Sequence, residues 1–338
     1  MTNGFGHREF PTFPKHSPLD DESAALVAQA ASNPTPKWWD QSIAQNRVDY
    51  HEMIAQVGLK EQGAAERTLV VVKTRDGHDL PMYVFRPTQT EDALVSTILF
   101  LRGSGMCMGD MSLYFGILER VACQSNSLVF APDYRLAPEH PYPIGHEDAF
   151  DAYEWLLEAA PAFGGDANRL VVAGDSAGGM LAASLGLSEA RAGRSRIALL
   201  ALIAPALGIT ENSFSAGMYK TGFLLDVEDL KWLYATYDAH GRGSDESALY
   251  PILAEDLSGM APTLMITAGS DIMRDDAEAF LKRIHASGSP IELYRMERTI
   301  HPFLNMGEII SVCEKSISLL GERISVFFTD PDTDGGII

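Results

Sequence analysis

The chain has 338 residues, of which 46% are hydrophobic, and its formal net charge is −20. This length accommodates one large α/β domain or two ordinary domains. Nucleic acids and anionic membranes bind basic faces, so the acidic balance excludes both as expected partners. No apolar run approaches the roughly 18 residues that span a bilayer, and the polar N-terminus lacks a signal-peptide pattern. We therefore expect a cytoplasmic protein without stable membrane insertion.

The first 60 residues predict an extended arm followed by two helices. The first helix is predicted over residues 18–31, where acidic side chains occupy the first turn. The second is predicted over residues 38–54, where apolar side chains recur on one face. Two helices ahead of the first strand are not part of a minimal sheet core, so we expect residues 1–60 to cover another surface.

Strands and helices alternate over residues 61–329, which predicts an α/β domain. The first two strands form a hairpin across Asp76-Gly77, a common hairpin turn. The later strands are almost wholly apolar, as expected of a mostly parallel sheet with helices on both faces. Strands are predicted at residues 68–73, 82–85, 97–101, 127–132, 170–173, 198–203, 263–267 and 291–295, and the helices among them at 111–124, 146–160, 178–192 and 275–287.

One long segment interrupts this alternation. Residues 208–255 lie between two predicted strands and include a predicted helix at 226–237 and a Gly/Ser-rich break at 241–244. Insertions of this length are usually functional. We expect this one to join residues 1–60 in a cap over the carboxyl edge of the sheet, where ligands bind in open α/β sheets. Residues 330–338 are predicted to form a disordered tail.

The most informative stretch is Gly174-Asp175-Ser176-Ala177-Gly178. It follows an apolar strand and precedes a helical segment, which is the context that a nucleophile elbow requires. The two glycines lack the bulk that a strained turn excludes, and a helix N-terminus favours a developing negative charge. A bare motif of this form arises by chance in roughly one chain in ten of this length. The assignment therefore depends on finding an acid, a base and an oxyanion loop.

A nucleophilic serine needs a base and an orienting carboxylate, which follow it in the order acid, then histidine. His301 comes directly after the last predicted strand, whereas His285 falls inside a predicted helix. His301 is therefore the expected base, and an ordinary loop histidine is the alternative. Asp271 ends the preceding strand and is the expected acid. Asp275, in the first turn of the next helix, is a distant second choice.

An oxyanion hole needs backbone N–H groups close to the serine. One is expected from Ala177, the residue after the nucleophile. The others are expected from the loop at residues 102–109, which follows the strand at 97–101 and whose glycines permit tight backbone turns.

Four motifs resemble the hormone-sensitive-lipase-like branch of the α/β-hydrolases, the family IV esterases, and span nearly all of the chain after about residue 65. The resemblance implies an α/β-hydrolase fold with an eight-stranded sheet and a helical cap, and ester hydrolysis without a cofactor or metal. It also supports Ser176, Asp271 and His301 as the catalytic triad. The motifs are Asp133-Tyr134-Arg135-Leu136-Ala137-Pro138-Glu139, Gly174-Asp175-Ser176-Ala177-Gly178-Gly179, Thr267-Ala268-Gly269-Ser270-Asp271 and His301-Pro302-Phe303.

The oxyanion loop departs from this family, which usually carries His-Gly-Gly-Gly where this chain has Arg102-Gly103-Ser104-Gly105. We predict that the N–H groups of Gly103 and Ser104 still serve as donors, because the hole uses backbone groups. Arg102 places a permanent cation where the family has an imidazole. Met106 and Met108 are candidates, with Arg102, for lining a substrate pocket, although core packing explains the methionines at least as well.

We therefore expect a serine esterase that cleaves a small or medium-sized carboxylic ester through an acyl-enzyme. A second hypothesis keeps the triad but releases the acyl group to a hydroxyl, giving acyl transfer or lactonisation. A third is a ligand-binding module without catalysis, since a fold alone does not determine function. The partner expected from the sequence is a small-molecule ester or acyl compound. A homodimer is a further expectation, because edge strands often pair in this family.

Overall fold

An eight-stranded sheet forms the centre of the fold in a computed structural model, which describes residues 5–7, 9–89, 94–208, 212–239 and 246–329. The strands are β1 (Ala65–Lys73), β2 (Asp79–Pro87), β3 (Val95–Leu101), β4 (Leu128–Pro132), β5 (Gly165–Asp175), β6 (Leu199–Ile203), β7 (Thr263–Ser270) and β8 (Ile291–Ile300). Their spatial order is β1-β2-β4-β3-β5-β6-β7-β8. Only the pairs β1–β2 and β2–β4 are antiparallel, so the predicted mostly parallel sheet is confirmed. The predicted tail at 330–338 and the break at 241–244 lie outside the described residues.

The helices are α1 (Asp21–Ser32), α2 (Ile43–Val57), α3 (Phe115–Ser125), α4 (Ile144–Ala159), α5 (Ala177–Arg191), α6 (Phe214–Met218), α7 (Val227–Tyr237), α8 (Glu246–Leu249), α9 (Arg274–Ala286) and α10 (Val312–Thr329). None of those in the described ranges is long and apolar enough to cross a membrane. The prediction of one helix over residues 38–54 is wrong. Residues Trp38–Asp40 form a separate 3-10 turn, and α2 begins after Ser42, whose hydroxyl accepts the Gln45 N–H. This cap satisfies an otherwise unpaired amide and sets the start of the helix.

The core has two layers, one on each face of the sheet. Side chains alternate between them along β3: Leu99 and Leu101 pack with α4, α5 and α9, whereas Ile98 and Phe100 pack with α3 and α10. All seven residues of β3 are buried. A strand covered on both faces has no side that faces water, which explains why residues 98–101 of β3 are a continuous apolar run in the sequence.

The two segments predicted to form a cap contact each other. Lys37, ahead of α2, pairs with Asp226 at the start of α7 at 3.1 Å, and the rings of Trp38 and Trp232 lie 5.9 Å apart. Both segments also contact the loop after β3: Arg47 of α2 donates to the Cys107 carbonyl at 2.8 Å, and the Cys107 thiol lies 4.0 Å from the Leu233 carbonyl of α7. The domain boundaries at residues 60, 208 and 255 stay a prediction.

Candidate active site

Ser176 lies on the sharp turn between β5 and α5. Its φ of 52° and ψ of −119° place it in a region that residues with a side chain rarely adopt. Backbone hydrogen bonds hold it there: the Ser176 N–H donates to the Ile203 carbonyl, and the Ser176 carbonyl accepts from Ala206, both at 2.9 Å. Strained residues persist where the surrounding structure fixes them, and such positions cluster at functional sites.

The two glycines of this turn are required sterically. A Cβ at Gly174 would lie 2.3 Å from the Gly178 carbonyl oxygen, and a Cβ at Gly178 would lie 1.9 Å from the Leu101 carbonyl oxygen. No side chain fits in either place without moving backbone. Because Gly174 and Gly178 have no side chains, α5 can approach β3, which brings the serine next to the loop at residues 102–109.

The structure brings Ser176, His301 and Asp271 together in one hydrogen-bonded line. His301 Nε2 lies 3.0 Å from Ser176 Oγ, and His301 Nδ1 lies 2.8 Å from Asp271 Oδ2. The other Asp271 oxygen accepts the Met273 N–H at 2.9 Å, which orients the carboxylate. Asp275, the second choice as acid, instead accepts the N–H of Ser215 at 2.9 Å and does not belong to this line.

The electrostatic surroundings favour a protonated imidazole at this position. Burial lowers the pKa of His301, but the charge and hydrogen bond of Asp271, together with the charge of Asp175, outweigh it. The net result is a pKa raised above the usual 6.5. An imidazolium that forms when the serine loses its proton is therefore stabilised.

A buried carboxylate beneath the serine turn belongs to the site as well. Asp175 accepts the Gly103 N–H at 2.9 Å through one oxygen and the Tyr114 hydroxyl at 2.9 Å through the other. Burial raises the pKa of Asp175 to about 6, against the effect of these hydrogen bonds. We did not predict a role for Asp175 or Tyr114. The sequence feature that could have indicated a role for Asp175 is its position directly before Ser176, because the elbow turn itself does not require a charged residue there.

This network corrects the prediction for Gly103. Its N–H points to Asp175 and to the Tyr114 hydroxyl, 3.0 Å away, and so is not free for an oxyanion. By contrast, the N–H groups of Ser104, Gly105 and Ala177 have no hydrogen-bond acceptor among the described residues. Unpaired amides beside a nucleophile are the groups that an oxyanion hole needs.

Arg102, Met106 and Met108 do not line an open pocket. All three are at most 2% exposed. The Arg102 guanidinium passes beneath the loop, where it donates to the carbonyls of Met108 and Gly103 at 3.1 and 3.4 Å and lies 3.5 Å from Asp133. The N–H groups of the guanidinium thus donate to carbonyls of the loop. Met106 and Met108 pack in the core. The prediction of a pocket formed by these side chains is therefore corrected.

This arrangement combines a hydroxyl with a neighbouring base, an orienting carboxylate and unpaired backbone donors. Such groups support attack of the hydroxyl on an electrophilic carbonyl carbon. In the parts of the chain that are described, no cluster of three or more His, Cys, Asp or Glu side chains could hold a metal ion.

Comparisons with known proteins identify the family of this chain. A family model for the alpha/beta hydrolase fold matches residues 98–305. The chain is 33% identical over 254 residues to the ethyl acetate hydrolase of Pseudomonas putida, covering 74% of this chain and 80% of that protein. It is 35% identical over 240 residues to the carboxylic ester hydrolase LipN of Mycobacterium tuberculosis, covering 68% and 62% respectively. A solved ester hydrolase from the metagenome of Lake Arreo has a TM-score of 0.84 at 27% identity, covering 92% of this chain and 99% of that one.

Proposed function

The chain belongs to the α/β-hydrolase family, in its hormone-sensitive-lipase-like branch, and on that premise we propose that it hydrolyses carboxylic esters through an acyl-enzyme on Ser176. The observation that carries this proposal is the line from Ser176 through His301 to Asp271, with contacts of 3.0 and 2.8 Å. A serine beside a base that a carboxylate orients is the arrangement that activates a hydroxyl.

The reaction begins when Ser176 Oγ attacks the acyl carbon and His301 Nε2 takes its proton. Asp271 holds the imidazole with Nε2 facing the serine and stabilises the imidazolium. The tetrahedral intermediate collapses, the C–O bond to the alcohol breaks, and His301 returns the proton to the departing alcohol. Water then attacks the acyl carbon and His301 takes one of its protons. The second intermediate collapses as the bond between the acyl carbon and Ser176 Oγ breaks, His301 returns the proton to Oγ, and the carboxylic acid leaves.

The negative oxygen of each tetrahedral intermediate needs donors that are already in place. We assign this role to the N–H groups of Ser104, Gly105 and Ala177. Loss of one such donor typically costs about 100- to 1,000-fold in rate. Gly103 contributes indirectly, since its bond to Asp175 fixes the start of the loop.

A small carboxylic ester is the proposed substrate class. The relative from Pseudomonas putida is named for ethyl acetate hydrolysis. This chain belongs to the same family and places a serine, a histidine and an aspartate in one hydrogen-bonded line. We propose that residues 1–60 and 208–255 form the cap that encloses the ester. Their contacts with each other and with the loop after β3 support that role.

Replacing Ser176 with alanine tests the function. We expect turnover of p-nitrophenyl acetate to fall by at least about 10⁴-fold, because the nucleophile is lost and only binding and the oxyanion donors remain. Ser188→Ala, on the same helix α5, is the matched control and should retain wild-type rates. A fluorophosphonate should label the wild-type protein at Ser176 and leave the Ser176→Ala variant unlabelled. Undiminished turnover in that variant would disprove the proposal.

A further inference from the structure

Ser104 occupies an unusual conformation in the loop that the proposed mechanism uses. Its φ is 79°, in the left-handed region where a residue with a Cβ is strained and glycine is favoured. The next two residues, Gly105 and Met106, also have positive φ, both 63°. The loop therefore has strained backbone at Ser104 and Met106, on either side of a glycine that adopts positive φ freely, and such strain persists where surrounding groups hold it.

Helix α2 supplies contacts that hold this loop. The Tyr50 hydroxyl lies 3.2 Å from Ser104 Oγ. The same ring lies against the other end of the turn, since a Cβ at Gly109 would be 3.1 Å from Tyr50 Cε1. A phenol keeps its proton at neutral pH, and burial raises the pKa of Tyr50 further above its usual value of 10.

A second side chain of α2 binds the middle of the loop. Arg47 Nε donates to the Cys107 carbonyl at 2.8 Å. The Arg47 guanidinium is itself held by a two-pronged pair with Glu139, at 2.9 and 2.7 Å. Two-pronged arginine–carboxylate pairs are geometrically specific. Helix α2 thus bonds the loop at Ser104 and at Cys107, through side chains one helical turn apart.

We propose that Tyr50 and Ser104 are a positioning pair: their hydroxyls hold the oxyanion loop in the conformation that presents the Ser104 and Gly105 N–H groups to the substrate oxygen. The inference deepens the proposed function and rests on it, because a positioned oxyanion loop matters only if Ser176 forms a tetrahedral intermediate. The serine that replaces a family glycine then has a purpose, since glycine has no side chain to bond the Tyr50 hydroxyl.

Rate measurements on single and double variants test the pair. Tyr50→Phe and Ser104→Ala each remove one hydroxyl, and we expect kcat for p-nitrophenyl acetate to fall about threefold to tenfold, as for loss of one neutral hydrogen bond. KM should change by less than about twofold, because the lost interaction acts in the transition state. The double variant should be no slower than the slower single variant, since both changes remove the same bond.

Ser104→Gly separates the hydroxyl from the backbone strain. Glycine adopts a φ of 79° without strain, so this variant should recover part of the kcat that Ser104→Ala loses. Tyr83→Phe is the matched control, because it removes a phenolic hydroxyl on β2, which is separated from β3 by β4, and should leave kcat and the melting temperature unchanged.

Three results would overturn the proposal. They are wild-type kcat in Tyr50→Phe or Ser104→Ala, multiplicative losses in the double variant, and a fall in melting temperature with kcat unchanged, which would indicate a structural role alone. Failure of the proposed function is recognised separately, because the wild-type protein would then not be labelled by a fluorophosphonate at Ser176.

Discussion

Two buried carboxylates act on His301, and they serve different partners. Asp271 bonds the imidazole directly, at 2.8 Å. Asp175 raises the pKa of His301 through its charge, while its hydrogen bonds go to the loop amide of Gly103 and to Tyr114. One carboxylate therefore orients the proposed base, and the other joins the serine turn to the proposed oxyanion loop.

Replacing Asp175 with asparagine should change how stability depends on pH. The native state raises the pKa of Asp175 from 3.8 to about 6, so the folded protein binds this proton more tightly than the unfolded chain. The contribution of Asp175 to the free energy of unfolding therefore falls as the pH rises from about 4 to about 6, by roughly 3 kcal/mol in total. Asparagine does not titrate, so the free energy of unfolding of Asp175→Asn should not show this decrease between about pH 4 and about pH 6.

Urea unfolding of wild type and Asp175→Asn at pH 4.5 and pH 7.5 measures the difference. We expect the variant to gain stability relative to wild type at the higher pH, and to lose turnover because the Asp175 charge no longer supports the His301 imidazolium. Equal pH dependence of unfolding in the two proteins would contradict the assignment of a raised pKa to Asp175.

At the scale of elements, the close approach of α5 to β3 determines where the serine meets the loop. Gly178 is the contact point, because a Cβ there would lie 1.9 Å from the Leu101 carbonyl oxygen. Leu101 ends β3, and Arg102 begins the loop. Any separation of α5 from β3 would therefore also move the Ala177 N–H away from the N–H groups of Ser104 and Gly105.

Gly178→Ala should accordingly be damaging, whereas a glycine without neighbours should tolerate alanine. We expect Gly178→Ala to lose about 2 kcal/mol or more of unfolding free energy through overpacking, and to lose most of its esterase activity. The matched control is Gly217→Ala in α6, where a Cβ would meet nothing within 4 Å. That variant should gain up to about 1 kcal/mol from helix propensity. Urea unfolding compares them, and equal stabilities of the two variants would refute the steric explanation.

At the scale of the whole molecule, the N-terminal arm covers one edge of the sheet. β8 is the last strand in the order, and the arm bonds its outer side at both ends: the His7 N–H donates to the Ile291 carbonyl at 2.7 Å, and the Asp20 N–H donates to the Arg298 carbonyl at 2.8 Å. Between them, Ser17 donates to Glu297 at 2.7 Å. An uncovered edge strand is a template for pairing with another chain.

Removal of the arm should therefore promote association. A variant that begins at Leu19 loses the bonds of His7 and Ser17 to β8 but keeps that of Asp20. It should show a higher mass than the full chain at equal concentration in light scattering after size exclusion, because the exposed part of β8 in one copy can then pair with that of another. Its melting temperature should also fall. Ser188→Ala on α5 is the control, because it leaves both the arm and β8 unchanged. Equal masses for the full chain and the variant without the arm would contradict this role.

Local patterns in the sequence were sufficient to predict the sheet, the elbow and the candidate triad residues. A strand buried on both faces is an uninterrupted apolar run, and a strained turn around Ser176 demands small neighbours, so both are visible over a few residues. Asp271 and His301 stand directly after strands, and parallel strands bring such positions to one edge of a sheet. These inferences needed only the order of elements along the chain.

Only the tertiary structure shows which amides of the loop after β3 are left unpaired and which side chains support that loop. Gly103 bonds Asp175, which lies 72 residues away, and Ser104 bonds Tyr50, which lies 54 residues away. The Arg102 side chain lies beneath the loop, where its guanidinium donates hydrogen bonds to the carbonyls of Met108 and Gly103. The hydrogen-bond partner of a backbone amide or a long side chain depends on which distant residues the fold brings near it. The sequence of the loop alone does not identify those residues.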